Sequence, residues 1–292
     1  QFRLDGVPRR AMDIVGRLNA VLFLPQDTDL VAGSPAARRR YLDICLCQID
    51  APYCQALARY NRIVSQRNAL LRRLRERSGR PEELAYWDQQ LAELGAYILW
   101  RRLWAVDQLQ PEADGVQRAM TEGQEGLTLA YQSSLAERCR PESGGAAGDH
   151  VSRQADQQAE LAAQFTAAQS AVRREELARG MTVIGPHRDD LRFLINGIDA
   201  TIFGSRGQQR SVALALKLAE VQLMRAQTGE MPVLLLDDVV SELDPQRCQL
   251  LLRAVAQAEQ VLITTTDLQF YGADFLREAV LWQVEAGTIT PL

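Results

Sequence analysis

The sequence contains a single lysine and only two histidines in 292 residues. The lysine, Lys217, lies within the apolar run ALALKLAE, so the chain has no GxxxxGK[ST] loop, the segment whose backbone and lysine hold nucleotide phosphates. The two histidines, His150 and His187, leave little room for a multi-histidine metal centre or for histidine-based catalysis. The five cysteines form no CxxC pair, which indicates reduced thiols and argues against a disulfide framework or a zinc site.

Long apolar runs are also missing. No segment has the length needed to cross a bilayer, and the amino end QFRLDGVPRR lacks the basic-then-apolar order of a secretion signal, so a cytoplasmic protein is expected. An apolar share of 47% is enough for the core of one large or two ordinary domains. The net charge of −4 argues against a uniformly basic nucleic-acid binder, so any such surface must be local.

A local basic segment is present between residues 38 and 77, where ten arginines face three acidic residues. One interpretation is a solvated helix face on which arginine stems cover apolar neighbours. The other is a stripe that contacts phosphates, because arginine forks match phosphate oxygens and release counterions. The sequence leaves both open, and the candidates for DNA contact are Arg38, Arg39, Arg40, Arg72 and Arg73.

The chain divides into three blocks. Residues 1–34 are predicted to form short β structure, with a turn at Asp5-Gly6, a short helix and an apolar strand over 20–24. Residues 35–180 carry apolar positions at spacings of three and four, which predicts amphipathic helices. Their expected bounds are 46–77, 81–109 and 152–179, with a mobile linker over 140–150 and an end at Gly180. Residues 181–292 return to strands, beginning with a hairpin at Asn196-Gly197.

The stretch FGSRGQQR, residues 203–210, places two glycines directly before a long alanine- and leucine-rich helix. Ser205 is predicted to cap this helix, and Gly207 leaves backbone N–H groups open at the positive end of the helix dipole. Such a helix start suits an anion, especially a phosphate. A plain helix cap is the alternative, since caps with a nearby glycine are common.

Two carboxylates, Asp237 and Asp238, follow the apolar run VLLL. A run of this kind is typical of a strand buried on both faces of an α/β sheet, and ligands bind at the carboxyl ends of such strands. A carboxylate there can hold Mg²⁺ through water, and its neighbour can orient an attacking water. A strand followed by an acidic turn is the alternative. The run VLITTT, residues 261–266, predicts a further strand that ends in threonines.

Taken in order, these segments resemble the motifs of ABC-type ATPases. SRGQQ is similar to the signature loop, VLLLDD to the Walker B strand and SELD to the D-loop. Several segments also resemble the RecF family of bacterial recombination mediators in their exact residues: GPHRDDL, ING, FGSRGQQR, LLLDDVVSELD and ITTTDL. The segment LFLPQDTDLVAGSPAARRRYLD near the amino end resembles the same family. The resemblance implies an α/β fold, an ABC-type ATPase head with an inserted helical arm. Residues 1–34 would end the first lobe, 35–180 form the arm and 181–292 form the second lobe.

The resemblance also implies roles for individual residues. The signature loop would close on ATP held by the opposite subunit, through Ser205, Gly207 and Gln208. Asp237 matches the Mg²⁺-associated carboxylate, and Asp238 stands at the catalytic position. The remaining positions are those of the D-loop (Ser241 and Asp244), a candidate Q-loop glutamine (Gln26) and the switch residue (Thr265 or Thr266).

The function that this resemblance implies is an ATP-dependent dimeric clamp on DNA. The clamp would bind double-stranded and gapped DNA, act with RecR and RecO and help to load RecA. The family is a weak DNA-stimulated ATPase that uses ATP and Mg²⁺, and its P-loop is expected in a part preceding Gln1. The alternative is another ABC-type ATPase, either an SMC-like structural protein or a transporter subunit. The arm is too short for a long coiled coil, and no membrane segment is evident.

Overall fold

A computed structural model describes residues 2–10, 14–135, 150–240 and 243–292, without the side chains of 150–155. The strands are β1 (Phe2–Leu4), β2 (Val7–Arg9), β3 (Ala20–Phe23), β4 (Leu127–Gln132), β5 (Asp190–Ile195), β6 (Ile198–Asp199), β7 (Val233–Asp237), β8 (Val261–Thr264), β9 (Trp282–Glu285) and β10 (Thr288–Pro291). The helices are α1 (Thr28–Ala32), α2 (Pro35–Ile49), α3 (Ala51–Arg75), α4 (Leu84–Met120), α5 (His150–Arg179), α6 (Ala200–Phe203), α7 (Arg206–Thr228), α8 (Pro245–Val255) and α9 (Ala273–Glu278).

A parallel sheet of three strands, in the order β3-β7-β8, organises the α/β part of the chain. The apolar run VLLL forms its central strand, as the sequence predicts. Cross-strand neighbours Phe23, Leu236 and Ile263 share one face, which packs with α7 in the larger of the two main hydrophobic cores. Because the strands are parallel, the carboxyl ends of β3, β7 and β8 meet at one edge.

The helical block differs from prediction at two boundaries. The helix expected over 46–77 is two helices, because Asp50 ends α2 and caps α3 by accepting the Tyr53 N–H at 2.9 Å. The helix expected to end near 109 continues through Pro111 to Met120. α4 packs against α5 where Gly95 leaves room for the ring of Phe165, which a Cβ would meet at 2.5 Å.

One strand was missed within the block predicted to be helical. β4 pairs antiparallel with β5, and β5 pairs with β6, so a small sheet joins residues 127–132 to the third block. The pattern LTLAYQ alternates, and Leu127 and Leu129 are buried while Thr128 is exposed. That period of two is a strand pattern, but it covers only six residues between much longer helical repeats.

The predicted turns are confirmed. Asp5 and Gly6 have φ of 50° and 78° between β1 and β2, and Asn196 and Gly197 have φ of 49° and 84° between β5 and β6. α5 ends before Gly180, whose φ is 68°. The short helix expected before β3 is not formed by residues 14–18, which make turns. The second strand of the hairpin, which the pattern IDATIF predicts over 198–203, ends at Asp199 and is followed by the helix α6. The predicted linker lies outside the described residues except for its last position.

Candidate functional site

The loop before α7 is held by a reciprocal cap. Ser205 Oγ accepts the Gln208 N–H at 3.2 Å, and Gln208 Oε1 accepts the Ser205 N–H at 2.9 Å. Ser205 and Gly207 are exposed. The positive end of a 23-residue helix therefore faces solvent, at the position predicted for a phosphate.

Glu125 fixes the side chain of Gln208, and sequence reasoning missed it. Gln208 Nε2 donates to Glu125 Oε1 at 2.8 Å, and the buried Gln117 donates to the other carboxylate oxygen at 2.7 Å. Glu125 lies in the connection between α4 and β4, far from the loop in sequence. No local pattern could have revealed it, since the contact depends on the fold.

The segment predicted as the D-loop is tied to the same helix start. Asp244 caps α8 by accepting the Arg247 N–H at 2.9 Å, and it forms an ion pair with the Arg247 guanidinium. Arg247 also donates to Ser211 Oγ at 2.6 Å, and Ser211 in turn donates to the Gly207 carbonyl at 3.0 Å. The start of α8 thus contacts the first turn of α7 through Arg247, a residue that the sequence did not single out. Ser241 lies outside the described residues.

Thr264 contacts both aspartates at the edge of the parallel sheet. Asp237 ends β7, and its Oδ1 accepts the Thr264 hydroxyl at 2.7 Å. Asp238 has a φ of 48°, and its N–H donates to the Thr264 carbonyl at 3.1 Å. Among the predicted switch residues, Thr265 donates its hydroxyl to the Asp267 carbonyl at 2.9 Å, and Thr266 is exposed. The threonine that contacts the Asp237 carboxylate and the Asp238 N–H is therefore the one that precedes both candidates.

Gln26 lies at the same edge, in the single turn Pro25–Asp27 after β3, and is exposed. Its neighbour Asp27 is half-buried and accepts the Leu24 N–H at 2.8 Å. Burial raises the pKa of Asp27, while the charge of Lys217 on α7 acts in the opposite direction. Lys217 also pairs at 3.3 Å with the buried Glu220, whose pKa burial raises. The only lysine is thus committed to packing α7 against the turn that follows β3.

A metal would take few ligands from this chain. No group of three or more His, Cys, Asp or Glu side chains is arranged to hold an ion within the described residues. Asp237 is exposed at a strand end, which suits a Mg²⁺ ion that keeps several waters and is otherwise held by phosphates. The donor set fits a metal that arrives with its nucleotide and does not fit a protein-only cage.

The arginines predicted to contact DNA differ in their surroundings. Arg38 is 2% exposed and forms two bonds to the Asp190 carboxylate, at 2.7 and 2.9 Å. Its remaining donor reaches the Val31 and Gly33 carbonyls, so Arg38 has a structural role and its prediction as a DNA contact is corrected. Arg39 is half-buried and donates to the Asp189 carbonyl at 2.7 Å. The other three, Arg40, Arg72 and Arg73, are exposed.

None of the helices in the described ranges is both long and apolar enough to span a membrane.

Comparisons with known proteins agree with one another. No family model matches the chain. A protein of Chloroflexus aurantiacus named DNA replication and repair protein RecF is 46% identical over 292 residues, which are 98% of this chain and 71% of that protein. The protein of the same name from Roseiflexus castenholzii is 45% identical over 295 residues, with 99% of this chain and 71% of that protein covered.

Two solved structures of the recombination mediator protein RecF in the RecFOR pathway also match 99% of the chain. One is RecF-ATPrS, with a TM-score of 0.84, 28% identity and 72% of its chain covered. The other is RecF-ATP, with a TM-score of 0.82, 29% identity and the same coverage. The α/β part is thus the head of an ABC-type ATPase. On the strength of these relatives, the chain belongs to the RecF family.

Proposed function

We propose that this chain acts in DNA replication and repair as part of an ATP-dependent RecF clamp. The observation that carries the proposal is the start of α7, where Ser205 and Gly207 are exposed while Glu125 and Arg247 hold the loop rigidly from behind. A loop fixed in this way, with open N–H groups and no phosphate-binding lysine nearby in sequence, suits a phosphate presented by another subunit. The names of the relatives and the ATP-bound RecF structures support the same function.

The signature loop then acts in trans. Ser205, Gly207 and Gln208 contact the terminal phosphate of a nucleotide on the opposite subunit, and binding of this nucleotide favours the dimer. Asp237 would hold a Mg²⁺ ion through water, and Asp238 would orient the attacking water for hydrolysis. The magnesium ion supplies charge neutralisation at the phosphates. Asp244 and Ser241 lie along the dimer seam, and Gln26 lies at the edge of the nucleotide site.

A row of leucines on the parallel sheet supports a further lobe that carries the P-loop. Leu22, Leu235 and Leu262 are cross-strand neighbours on the face opposite to α7. Leu22 is 41% and Leu262 is 54% exposed, which is unusual for the core sheet of an ABC-type head. In the RecF relatives, of which this chain covers 71%, the additional length is sufficient for such a lobe. We propose that this lobe covers the leucine row and supplies the phosphate-binding lysine.

DNA contacts are proposed for the exposed arginines of the arm. Arg72 and Arg73 lie near the end of α3, whereas Arg40, on α2, borders a separate cleft and is left out of this surface. Arg59 and Arg62 are exposed as well. They lie three residues apart, and Arg73 lies eleven residues after Arg62, which is close to three helical turns, so the three arginines share one face of α3. Such a stripe binds the backbone of duplex or gapped DNA without reading sequence. Assembly with RecR and RecO and the loading of RecA belong to the same proposal, which the RecFOR pathway of the structural relatives supports.

Sedimentation velocity of the full-length protein with and without Mg-ATP tests the action in trans. Mg-ATP is expected to convert the wild type to a dimer, whereas Ser205→Arg stays monomeric because the bulky cation blocks closure. Ser170→Arg is the matched control, since Ser170 is exposed on α5 and is expected to leave the dimer intact. ATP binding is measured separately. If Ser205→Arg lost ATP binding itself, or if it dimerised like the wild type, the assignment of the loop would be refuted.

A further inference from the structure

A cleft opens between α2 and α3, away from the signature loop and the sheet edge. Its volume is about 530 Å³. Ile44 and Cys47 of α2 and Leu57 of α3 form apolar walls, while Arg39 and Arg40 lie along one side. Ile44 is 46% exposed although its neighbours Leu42, Cys45 and Leu46 are fully buried. The cleft therefore combines an uncovered apolar wall with two guanidinium groups.

The charges of the cleft do not balance. Arg102 and Asp43 also line it, but they form an ion pair with each other at 2.8 Å. No carboxylate in the described part of the chain forms an ion pair with Arg39 or Arg40. Burial, and then the neighbouring charge of Arg102, lower the pKa of Arg39. Arg39 and Arg40 thus face the cleft without an ion pair of their own, although the charges of Asp190 and Asp189 act to raise the pKa of Arg39, so the chemistry of the cleft favours an anionic group.

Arg39 is held in place before any ligand arrives. Its guanidinium donates to the Asp189 carbonyl, and the Asp189 carboxylate accepts from Ser134 Oγ at 2.7 Å and from Tyr131 at 2.9 Å. The floor is fixed too, since the Tyr60 hydroxyl lies 2.8 Å from His187 Nδ1. The sequence stretch GPHRDD, which the nucleotide site does not use, thereby builds the floor and one side of the cleft. A preorganised arginine loses little entropy on binding.

We propose that the cleft binds a protein segment in which an acidic side chain stands next to an apolar one. The carboxylate would pair with Arg39 and Arg40, in the way that arginine clusters recognise acidic motifs, and the apolar side chain would cover Ile44 and Leu57. DNA is the less suitable occupant, because a phosphate backbone offers nothing apolar to those walls and a duplex is too wide for this volume. The exposed stripe of Arg59, Arg62 and Arg73 suits DNA better.

Selection from a phage library of random dodecapeptides on the full-length protein tests the proposal. Counter-selection on the double variant Arg40→Glu/Ile44→Asp removes peptides that bind elsewhere on the protein. Both positions are exposed, so the variant is expected to fold, and thermal unfolding followed by circular dichroism checks this. Enrichment of peptides that carry Asp or Glu beside Leu, Ile or Phe is expected. A failure to enrich any peptide, or enrichment without an acidic residue, would overturn the proposal.

The affinity of an enriched peptide is then measured by fluorescence anisotropy. Arg40→Glu and Ile44→Asp are each expected to weaken binding at least about tenfold. Arg73→Glu, which reverses an exposed charge on α3 outside the cleft, is expected to leave it unchanged. Equal affinity in all variants would show that the peptide binds elsewhere. Displacement of the peptide from the wild type by a short DNA duplex would make the cleft part of the DNA surface and would also reject the proposal.

Discussion

Replacement of Arg38 by methionine separates a structural arginine from its exposed neighbours. Arg38 is buried, and the variant keeps much of its volume while it removes four hydrogen bonds, two of them to the Asp190 carboxylate. Removal of one partner of a buried ion pair costs roughly 3–5 kcal/mol. Arg192 remains 3.1 Å from Asp190 and supplies part of the lost charge. We therefore expect the lower end of that range, a decrease of about 3 kcal/mol in the free energy of unfolding.

Urea unfolding followed by circular dichroism measures this difference through the shift of the midpoint, which is about 1 M or more for a slope of 1–3 kcal/mol per M. Arg40→Met is the control, because Arg40 is exposed and surface changes of this kind stay within about 0.5 kcal/mol. Adding Asp190→Asn to Arg38→Met removes the uncompensated charge and is expected to restore part of the stability. If Arg38→Met and Arg40→Met shifted the midpoint equally, the reasoning would be wrong.

Three further predictions concern the nucleotide edge, the arm and the cleft floor. Thr264→Val removes the hydroxyl bound to Asp237 and is expected to slow steady-state ATP hydrolysis by the full-length protein about fivefold to tenfold, which corresponds to a loss of about 1–1.4 kcal/mol of transition-state stabilisation. Thr266→Val is the control and should hydrolyse ATP like the wild type. An equal effect of both substitutions would reject the role of Thr264. Arg73→Ala is expected to reduce the slope of log K against log salt concentration for duplex DNA binding by about one counterion, as measured in anisotropy titrations at several salt concentrations. An unchanged slope would mean that Arg73 belongs to a solvated helix face and does not contact a phosphate. Burial lowers the pKa of His187 from 6.5 to about 4, so below pH 6.5 the unfolded chain binds a proton that the folded chain does not, and stability is lost as pH falls towards 4. His187→Gln should therefore lessen the fall in unfolding free energy between about pH 6.5 and pH 5. An identical fall in both proteins would place the histidine in contact with solvent.

Features set by neighbouring residues could be predicted from the sequence. The turns at Asp5-Gly6 and Asn196-Gly197 require positive φ at adjacent positions, which these residue types adopt readily. Ser205 caps α7 because its partner, Gln208, is three residues away. The buried strand β7 was recognisable because a short, wholly apolar run before two carboxylates has few alternatives.

Features that depend on residues far apart in the chain could not be predicted from the sequence. Arg38, Arg39 and Arg40 are identical in type, and only the packing of α2 against Asp189 and Asp190, some 150 positions later in the chain, buries the first and leaves the third exposed. Glu125 and Arg247 contact the start of α7 across 83 and 36 positions. Thr264 escaped notice because three consecutive threonines end the run, and the register of β8 against β7 decides which of them meets Asp237.

Buried charges join the helices α2 and α4 to β5 and to the loop before it, and this limits how these elements can move. Arg38 bonds to Asp190 at the start of β5, and Arg102 of α4 bonds to Asp43 and to the Pro186 carbonyl in the loop before that strand. β5 leads through β6 and α6 directly to Ser205. Separation of these groups would leave buried charges without partners at a cost of several kcal/mol each, so α2 and α4 are expected to move together with β5. Displacement of α2, for instance by a protein segment in the cleft, therefore acts on a unit that includes the strand leading to the loop before α7.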